Sequence, residues 1–173
     1  MYQQTLHYAK MQTPLGAHLW VVRSGRGVCQ IEFGYSEAAF RALLAQVWLE
    51  AILIHDAKAL RKPLTELQQY FAGRRREFTF RQFMIGTAFQ QLVWQAVSEI
   101  PFGQVATYKM IAEKIHNPQA VRAVGHANGS NPLPIVIPCH RVIGSNGDLC
   151  GYGGGIGLKK KLLELEGAEL KQK

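Results

Sequence analysis

The sequence predicts an α+β protein in two parts: a small amino-terminal α/β domain over residues 1–85 and a mainly helical carboxy-terminal domain over residues 86–173. Three observations predict it. Between residues 5 and 33, β-branched and aromatic runs alternate with turn residues, the signature of hairpins. An amphipathic helical stripe starts directly after Gly86-Thr87. Two short helices then meet across a tight turn, a spacing that fits either a plain helical hairpin or a DNA-binding helix-turn-helix.

The elements follow in order. Leu6 to Met11 reads as a strand and Thr13-Pro14-Leu15-Gly16 as its turn. Ala17 to Arg23 and Val28 to Phe33 are strands joined by Ser24-Gly25-Arg26-Gly27. Ser36 can cap a helix carrying Phe40, Leu43, Leu44 and Trp48. A second helix runs from about Pro63 to Ala72 and stops at Gly73. In the second part, Thr87 and Gln90 form a capping-box pattern. Phe89, Leu92, Val93, Ala96, Val97 and Ile100 then follow helical spacing, ended by Pro101-Phe102-Gly103. Thr107 opens a short helix through Met110, Ile111, Ala112 and Ile115, broken by His116-Asn117-Pro118. A third helix spans about Gln119 to Asn128, with Val121 and Val124 facing inward. After the turn cluster Asn128 to Pro132, the apolar run Ile135-Val136-Ile137 leads into Pro138-Cys139. Ser145-Asn146-Gly147 is a turn, and Leu158 to Glu166 is a final helix ended by Gly167.

Composition narrows the class. Apolar residues are 47% and charged residues 18% of the 173, an ordinary globular mix. No apolar run reaches the length of a membrane span, and MYQQTLHYAK lacks the layout of a secretion signal, so a cytoplasmic protein is expected. The three cysteines, Cys29, Cys139 and Cys150, form no CxxC pair. They fit neither a disulfide framework nor a zinc site built from cysteine pairs. The net charge of +8 suits a polyanionic partner, whose phosphates attract Lys and Arg. The excess is spread along the chain, and Arg74-Arg75-Arg76 reads as a solvated loop. His7, His18 and His55 lack partners at ligand spacing and read as structural or surface residues. Gly151-Tyr152-Gly153-Gly154-Gly155 matches no nucleotide-phosphate loop.

The stretch Ile137-Pro138-Cys139-His140-Arg141-Val142 carries the chemistry. A free thiol has a pKa of about 8.5, so little of it is nucleophilic thiolate at neutral pH. An imidazole such as His140 can take the proton, and a carboxylate can orient the imidazole. Glu164, Glu166 and Glu169 are all candidates for that carboxylate. A buried structural cysteine beside a chance histidine is the competing reading. Cys150 reads as a small packing residue.

The ordered series GTAFQQLVW, IPFGQVATY, RAVGHANGSNP, IPCHRVIG, GYGGG and LLELEG strongly resembles the O6-alkylguanine-DNA alkyltransferase family, over about residues 86–167. The resemblance implies a ribonuclease-H-like amino-terminal domain and a winged-helix-like helix-turn-helix in the second. It implies direct reversal of DNA damage: duplex DNA bound in the minor groove, an alkylated guanine flipped out of the stack, and its O6-alkyl group moved irreversibly to Cys139, once per molecule. O4-methylthymine is a further expected substrate. No cofactor and no metal are implied. The partner is double-stranded DNA containing O6-alkylguanine, met by a monomer, with cooperative binding along DNA left open.

The same resemblance assigns roles. Cys139 is the alkyl acceptor, His140 the base acting through a water, and Glu166 the carboxylate that orients the histidine. Tyr108 helps rotate the nucleotide and donates a proton to the leaving guanine. Arg122 is the finger that fills the gap left by the flipped base, as a planar cation can. Asn131 is a hinge bracing the recognition helix. Thr107, Ala123 and Gly125 join Arg122 and Tyr108 on the DNA-binding surface. Val142, Tyr152, Gly153 and Pro134 line the substrate pocket.

Some positions depart from the family pattern. Gly153 stands where some relatives carry serine, which removes a hydroxyl contact to O6. His116 stands where glycine is common, so an altered turn is expected there, since φ > 0 is uncommon for a side-chain-bearing residue. One cysteine in the first half cannot build the zinc site of some animal relatives. The wide glycine loop suggests tolerance of larger alkyl groups. Three other functions compete: a non-catalytic reader of alkylated DNA, disfavoured by the intact Cys139; a transcription regulator, which would carry an additional cysteine-bearing domain; and a cysteine hydrolase, which would leave Arg122 and Tyr108 without a purpose.

Overall fold

The computed structural model describes residues 4–169. The residues Met1–Gln3, which begin the stretch read for a secretion signal, lie outside them. The chain divides into two compact units, residues 1–84 and 85–173.

In the first unit, β1 (Thr5–Gln12), β2 (His18–Ser24) and β3 (Gly27–Phe33) form an antiparallel meander. Helix α1 (Glu37–Val47) follows. Its cap is Ser36, whose hydroxyl accepts from the Ala39 N–H as its position predicts. A fourth strand that the sequence reading lacks, β4 (Ile52–His55), then pairs parallel to β1, giving the order β3-β2-β1-β4. Side chains alternate across a strand, and Leu6, Tyr8, Trp20, Val22 and Cys29 pack with Phe40, Leu44 and Trp48 of the α1 segment. Buried Ala9, Leu19, Val21 and Ile31 show that the other face is covered too. Helix α2 (Arg61–Phe71) closes the unit, and Gly73 follows its end with the backbone bonds of a Schellman stop. The histidines are structural: His7 Nδ1 meets Asp56 Oδ2 at 3.0 Å, and the His55 ring sits edge-on to Tyr8.

The second unit opens on α3 (Ala88–Ser98), held by the capping box between Thr87 and Gln90. Strand β5 (Ala106–Thr107) leads into α4 (Tyr108–Lys114), whose cap is Thr107, and α5 (Val121–Gly129) follows across a turn. Helices α3, α4 and α5 pack on one another around Val93, Trp94, Val97, Ile111, Ala112 and Val124. The Trp94 indole donates to Ala127 O at 2.7 Å, fixing α5 on α3. A 3-10 turn at Cys139–Arg141 runs into β6 (Val142–Ile143), which pairs parallel to β5. Helix α6 (Ile156–Leu165) completes the unit and ends at Gly167. An antiparallel wing hairpin is not among the described elements. Val121, expected inward, is half-buried, and Val124 is fully buried.

His116 takes the left-handed conformation in the turn between α4 and α5. Its φ is +56°, and the bonds His116 N–H to Glu113 O and Asn117 N–H to Ala112 O, both 2.9 Å, form the Schellman pattern. The left-handed region costs a side-chain-bearing residue about 1–2 kcal/mol, and the ring is exposed. His116→Gly should therefore stabilise the protein by about 1 kcal/mol after the entropy glycine adds to the unfolded chain. In a thermal melt that is a rise of roughly 2–4 °C; an unchanged or lower Tm would contradict the strain.

Candidate active site

Three consecutive residues share the 3-10 turn after Pro138. In such a turn successive side chains fan out by about a third of a circle. Cys139, His140 and Arg141 therefore leave one short segment in different directions, all buried. Glu166, the C-cap residue of α6, reaches back beneath them. Its Oε1 accepts from His140 Nε2 at 2.9 Å and from Arg141 Nη2 at 2.9 Å. Its Oε2 accepts from Arg141 Nε at 2.7 Å and from the Gly103 N–H at 3.2 Å. Gly103 can present that N–H because its φ is +75°, and a Cβ there would lie 2.9 Å from Glu166 O. Arg141 also donates through Nη1 to Ile100 O at 2.5 Å.

The charges follow from this geometry. Burial alone would raise the Glu166 carboxyl; hydrogen bonds from His140 and Arg141 outweigh it and hold the group well below the usual carboxylate range. Burial pushes the His140 pKa down against the opposing pull of Glu166, which favours the neutral ring. A neutral ring facing a carboxylate through Nε2 must carry its proton there. Nδ1 is then a bare acceptor, buried and without a hydrogen bond. The Cys139 thiol is pushed up by burial, against the Asn131 side chain and the Lys159 ammonium, which both favour the thiolate. The resting sulfur is a thiol that needs a base.

Lys159 is a buried charged residue next to the reactive turn that the sequence reading missed. It is fully buried, and its Nζ donates to Val142 O at 2.5 Å and also to Leu149 O. Asn131 donates through Nδ2 to Ile137 O at 2.8 Å and accepts from the Leu133 N–H at 2.9 Å, clamping the loop between α5 and the reactive turn. Asn128, also missed, is buried and donates through Nδ2 to Cys139 O at 3.2 Å. Burial raises the Tyr108 hydroxyl pKa, with Cys150 adding to the rise and the Asn128 amide opposing it.

The remaining expected residues fall into two groups. Arg122 and Ala123 are exposed on α5, facing away from the buried Val124, Ala127 and Asn128. Thr107 is half-buried and caps α4 by accepting from Met110 N–H at 3.1 Å. Gly125 lies under the Tyr108 ring, where a Cβ would stand 3.9 Å from Cδ1 and Cε1. Val142 is fully buried, Pro134 and Tyr152 are half-buried, and Gly153 is exposed with open space where a side chain would go. Cys150 is exposed rather than packed, with φ +55°. Of the three candidate carboxylates, Glu164 pairs with Lys160 at 3.8 Å in solvent and Glu169 is exposed; Glu166 alone of them meets His140.

Two helices across a tight turn, with a buried cysteine, a neutral histidine and an ion-paired carboxylate behind them, fit the class of DNA-binding proteins that carry a thiol able to be activated by a base. Residues 88–168 match the 6-O-methylguanine DNA methyltransferase DNA-binding domain, and residues 6–82 match the ribonuclease-like domain of the same proteins. The methylated-DNA–protein-cysteine methyltransferase of Methanosarcina acetivorans is 39% identical over 163 residues, covering 94% of this chain and 99% of that protein. The crystal structure of Mycobacterium tuberculosis O6-methylguanine methyltransferase superposes with a TM-score of 0.80 at 38% identity, covering 94% and 93% of the two chains. A structure of the M. tuberculosis protein OGT in complex with DNA gives 0.79 at 39% identity, covering 93% and 92%. The chain belongs to the 6-O-methylguanine DNA methyltransferase family.

Proposed function

We propose that this protein is a methylated-DNA–protein-cysteine methyltransferase that repairs DNA by moving the alkyl group of O6-methylguanine, and of O4-methylthymine, irreversibly to Cys139. The observation that carries the reading is the pairing of His140 Nε2 with Glu166, which leaves Nδ1 as a bare acceptor on the residue that follows the buried thiol in the chain. His140 takes the thiol proton through a bridging water. The sulfur attacks the alkyl carbon, a C–S bond forms and the bond to O6 breaks. Tyr108 protonates the departing guanine and is reprotonated through water by the proton that His140 took up, so that overall the thiol hydrogen ends on the guanine. The thioether has no route back, and each molecule acts once. Burial keeps the histidine neutral, Glu166, itself held by Arg141, keeps it correctly turned, and Lys159 steadies the developing thiolate.

Residues 86–173 carry both DNA binding and transfer in this reading, since every proposed site residue lies there, and residues 1–85 form a supporting α/β domain. Duplex DNA is the partner. Arg122, exposed on α5, fills the gap left by the flipped nucleotide; Ala123 and Thr107 border it. Val142, Pro134, Tyr152 and Gly153 surround the base, and the open space at Gly153 suits alkyl groups larger than methyl. Among the described residues no helix is long and apolar enough to cross a membrane, and we place the protein in the cytoplasm.

The test is intact-protein mass after mixing with a duplex carrying one O6-methylguanine. One added methyl per molecule, mapped to Cys139 and stopping at stoichiometry, is the expected result. No mass gain with binding intact would make the protein a reader of damage instead. Arg122→Ala gives a second check. Flipping costs a few kcal/mol, so losing the finger should slow duplex repair by about 10–100-fold while leaving reaction with a free benzylated guanine base nearly unchanged. Equal slowing on both substrates would remove the finger role.

A further inference from the structure

Three features outside the assigned roles stand out: the cleft of about 380 Å³ lined by His7, Arg23 and Ala59 in the first unit, the exposed apolar residues Val47, Leu49, Ile52 and Ile54 around β4, and the buried Asn128. In the cleft Arg23 donates to Ala59 O and His7 pairs with Asp56, and neither points to a particular ligand. Nothing identifies what would cover the apolar residues. Asn128 carries an argument.

Asn128 is 5% exposed, on the inward face of α5. Its amide cannot be turned over, because Oδ1 would then face the carbonyl oxygen of Cys139, acceptor against acceptor; the bond fixes Nδ2 on that side. Its Oδ1 makes no hydrogen bond, an uncommon state for a buried polar atom and one that marks a strained or functional place. The Tyr108 ring lies on Gly125, and Gly125 and Asn128 share one helix face at i, i+3 spacing. The Tyr108 ring therefore packs on the same face of α5 as the amide that holds the Cys139 carbonyl, and that amide draws the phenol pKa down against burial, as a hydrogen-bonding neighbour does.

Building on the transfer reading above, we infer that Asn128 is a positioning residue that links the proton donor Tyr108 to the main chain of the acceptor Cys139. Helix α5 presents Arg122 to DNA on its outer face and Asn128 to both reacting groups on its inner face. Seating α5 on the duplex thus also sets where the phenol stands relative to the sulfur. A buried amide is well matched to this role, because it is neutral at every pH of interest and can meet a carbonyl and a hydroxyl at once.

The experiment is a double-mutant cycle read as single-turnover methyl transfer at saturating duplex, with duplex affinity and Tm measured alongside. Asn128→Leu should slow transfer by roughly tenfold or more with affinity little changed, an effect on the chemical step rather than on binding. In a Tyr108→Phe background the same change should add less than about twofold, because the two residues act as one unit. Losses that multiply, or an Asn128→Leu protein as fast as wild type, would overturn the link. Asn128→Asp covers the case in which leucine does not fold. Its ionised carboxylate cannot donate to Cys139 O, whereas its protonated form can, so its rate relative to wild type should climb as pH falls. A ratio that stays flat with pH would overturn the link as well. A wild-type protein that gains no methyl would instead refute the transfer reading itself, which separates the two failures.

Discussion

Cys139→Ala abolishes methyl transfer and leaves duplex binding within about threefold of wild type, a difference below about 1 kcal/mol. The reason is a division between surfaces. The groups proposed to meet DNA, Arg122 and Ala123, are exposed on α5, whereas Cys139 is 5% exposed in the turn behind it. Removing one buried sulfur leaves the outer face of α5 as it was. Transfer has no substitute for the sulfur: the turn holds no other nucleophile, and Cys150 is exposed in the loop before α6. Filter binding and intact mass on the same preparation check both halves. Equal loss of binding and transfer would show that the sulfur is a packing element.

The raised Cys139 pKa gives this result its mechanistic weight. Burial outweighs the help of Asn131 and Lys159, so the sulfur rests as a thiol. That protects a residue usable only once from casual alkylation and oxidation, since reactivity follows the thiolate.

Much of the frame could be read from local chemistry. Ser36, Thr87 and Thr107 began the helices they were expected to begin, and Gly73 and Gly167 ended theirs. These signals act within four residues and need no tertiary context. Strand β4 was missed because Ile52–His55 is short and largely exposed at a sheet edge, so it has no buried face to set an alternation. The two-residue pairing of β5 with β6 exists only through tertiary approach. Cys139 and His140 were legible as a pair; Arg141, Lys159 and Asn128 were not, because burial of a polar group depends on what packs over it. A signal was nonetheless present. Lys159, Leu162, Leu163 and Glu166 stand at i, i+3, i+4 and i+7, as do Val121, Val124, Gly125 and Asn128. Helical phase puts each set on one face, which would have drawn Lys159 out of the solvated-looking Lys159-Lys160-Lys161 run and chosen Glu166 over Glu164.

Glu166→Gln should cost both stability and activity. Glutamine keeps the shape but not the charge. One end of its amide must present N–H groups toward Arg141 or His140, donor against donor, and the Arg141 guanidinium stays buried without a counterion. Breaking a buried pair from one side costs about 3–5 kcal/mol, a large share of the roughly 5–15 kcal/mol that holds a domain. The melting temperature should fall by about 10 °C or more. The His140 tautomer would no longer be enforced, so transfer should slow further than the folded fraction explains. The pH dependence has a definite sign. Glu166 is held below its unfolded value of about 4.3, so its stabilisation is complete above that pH and is lost as pH falls toward the folded value. His140 is also lowered, from about 6.5, so the unfolded chain binds its proton first and stability begins to fall below that point. Wild-type stability should therefore decline from about pH 6.5 downward and steepen below about 4.3, whereas in the glutamine variant the second step is shallower, with Asp56 and Glu66, also held below their usual values, left to bear it. Chemical denaturation across pH measures both, and a variant that keeps the steep acid limb would show that another carboxylate, not Glu166, bears it.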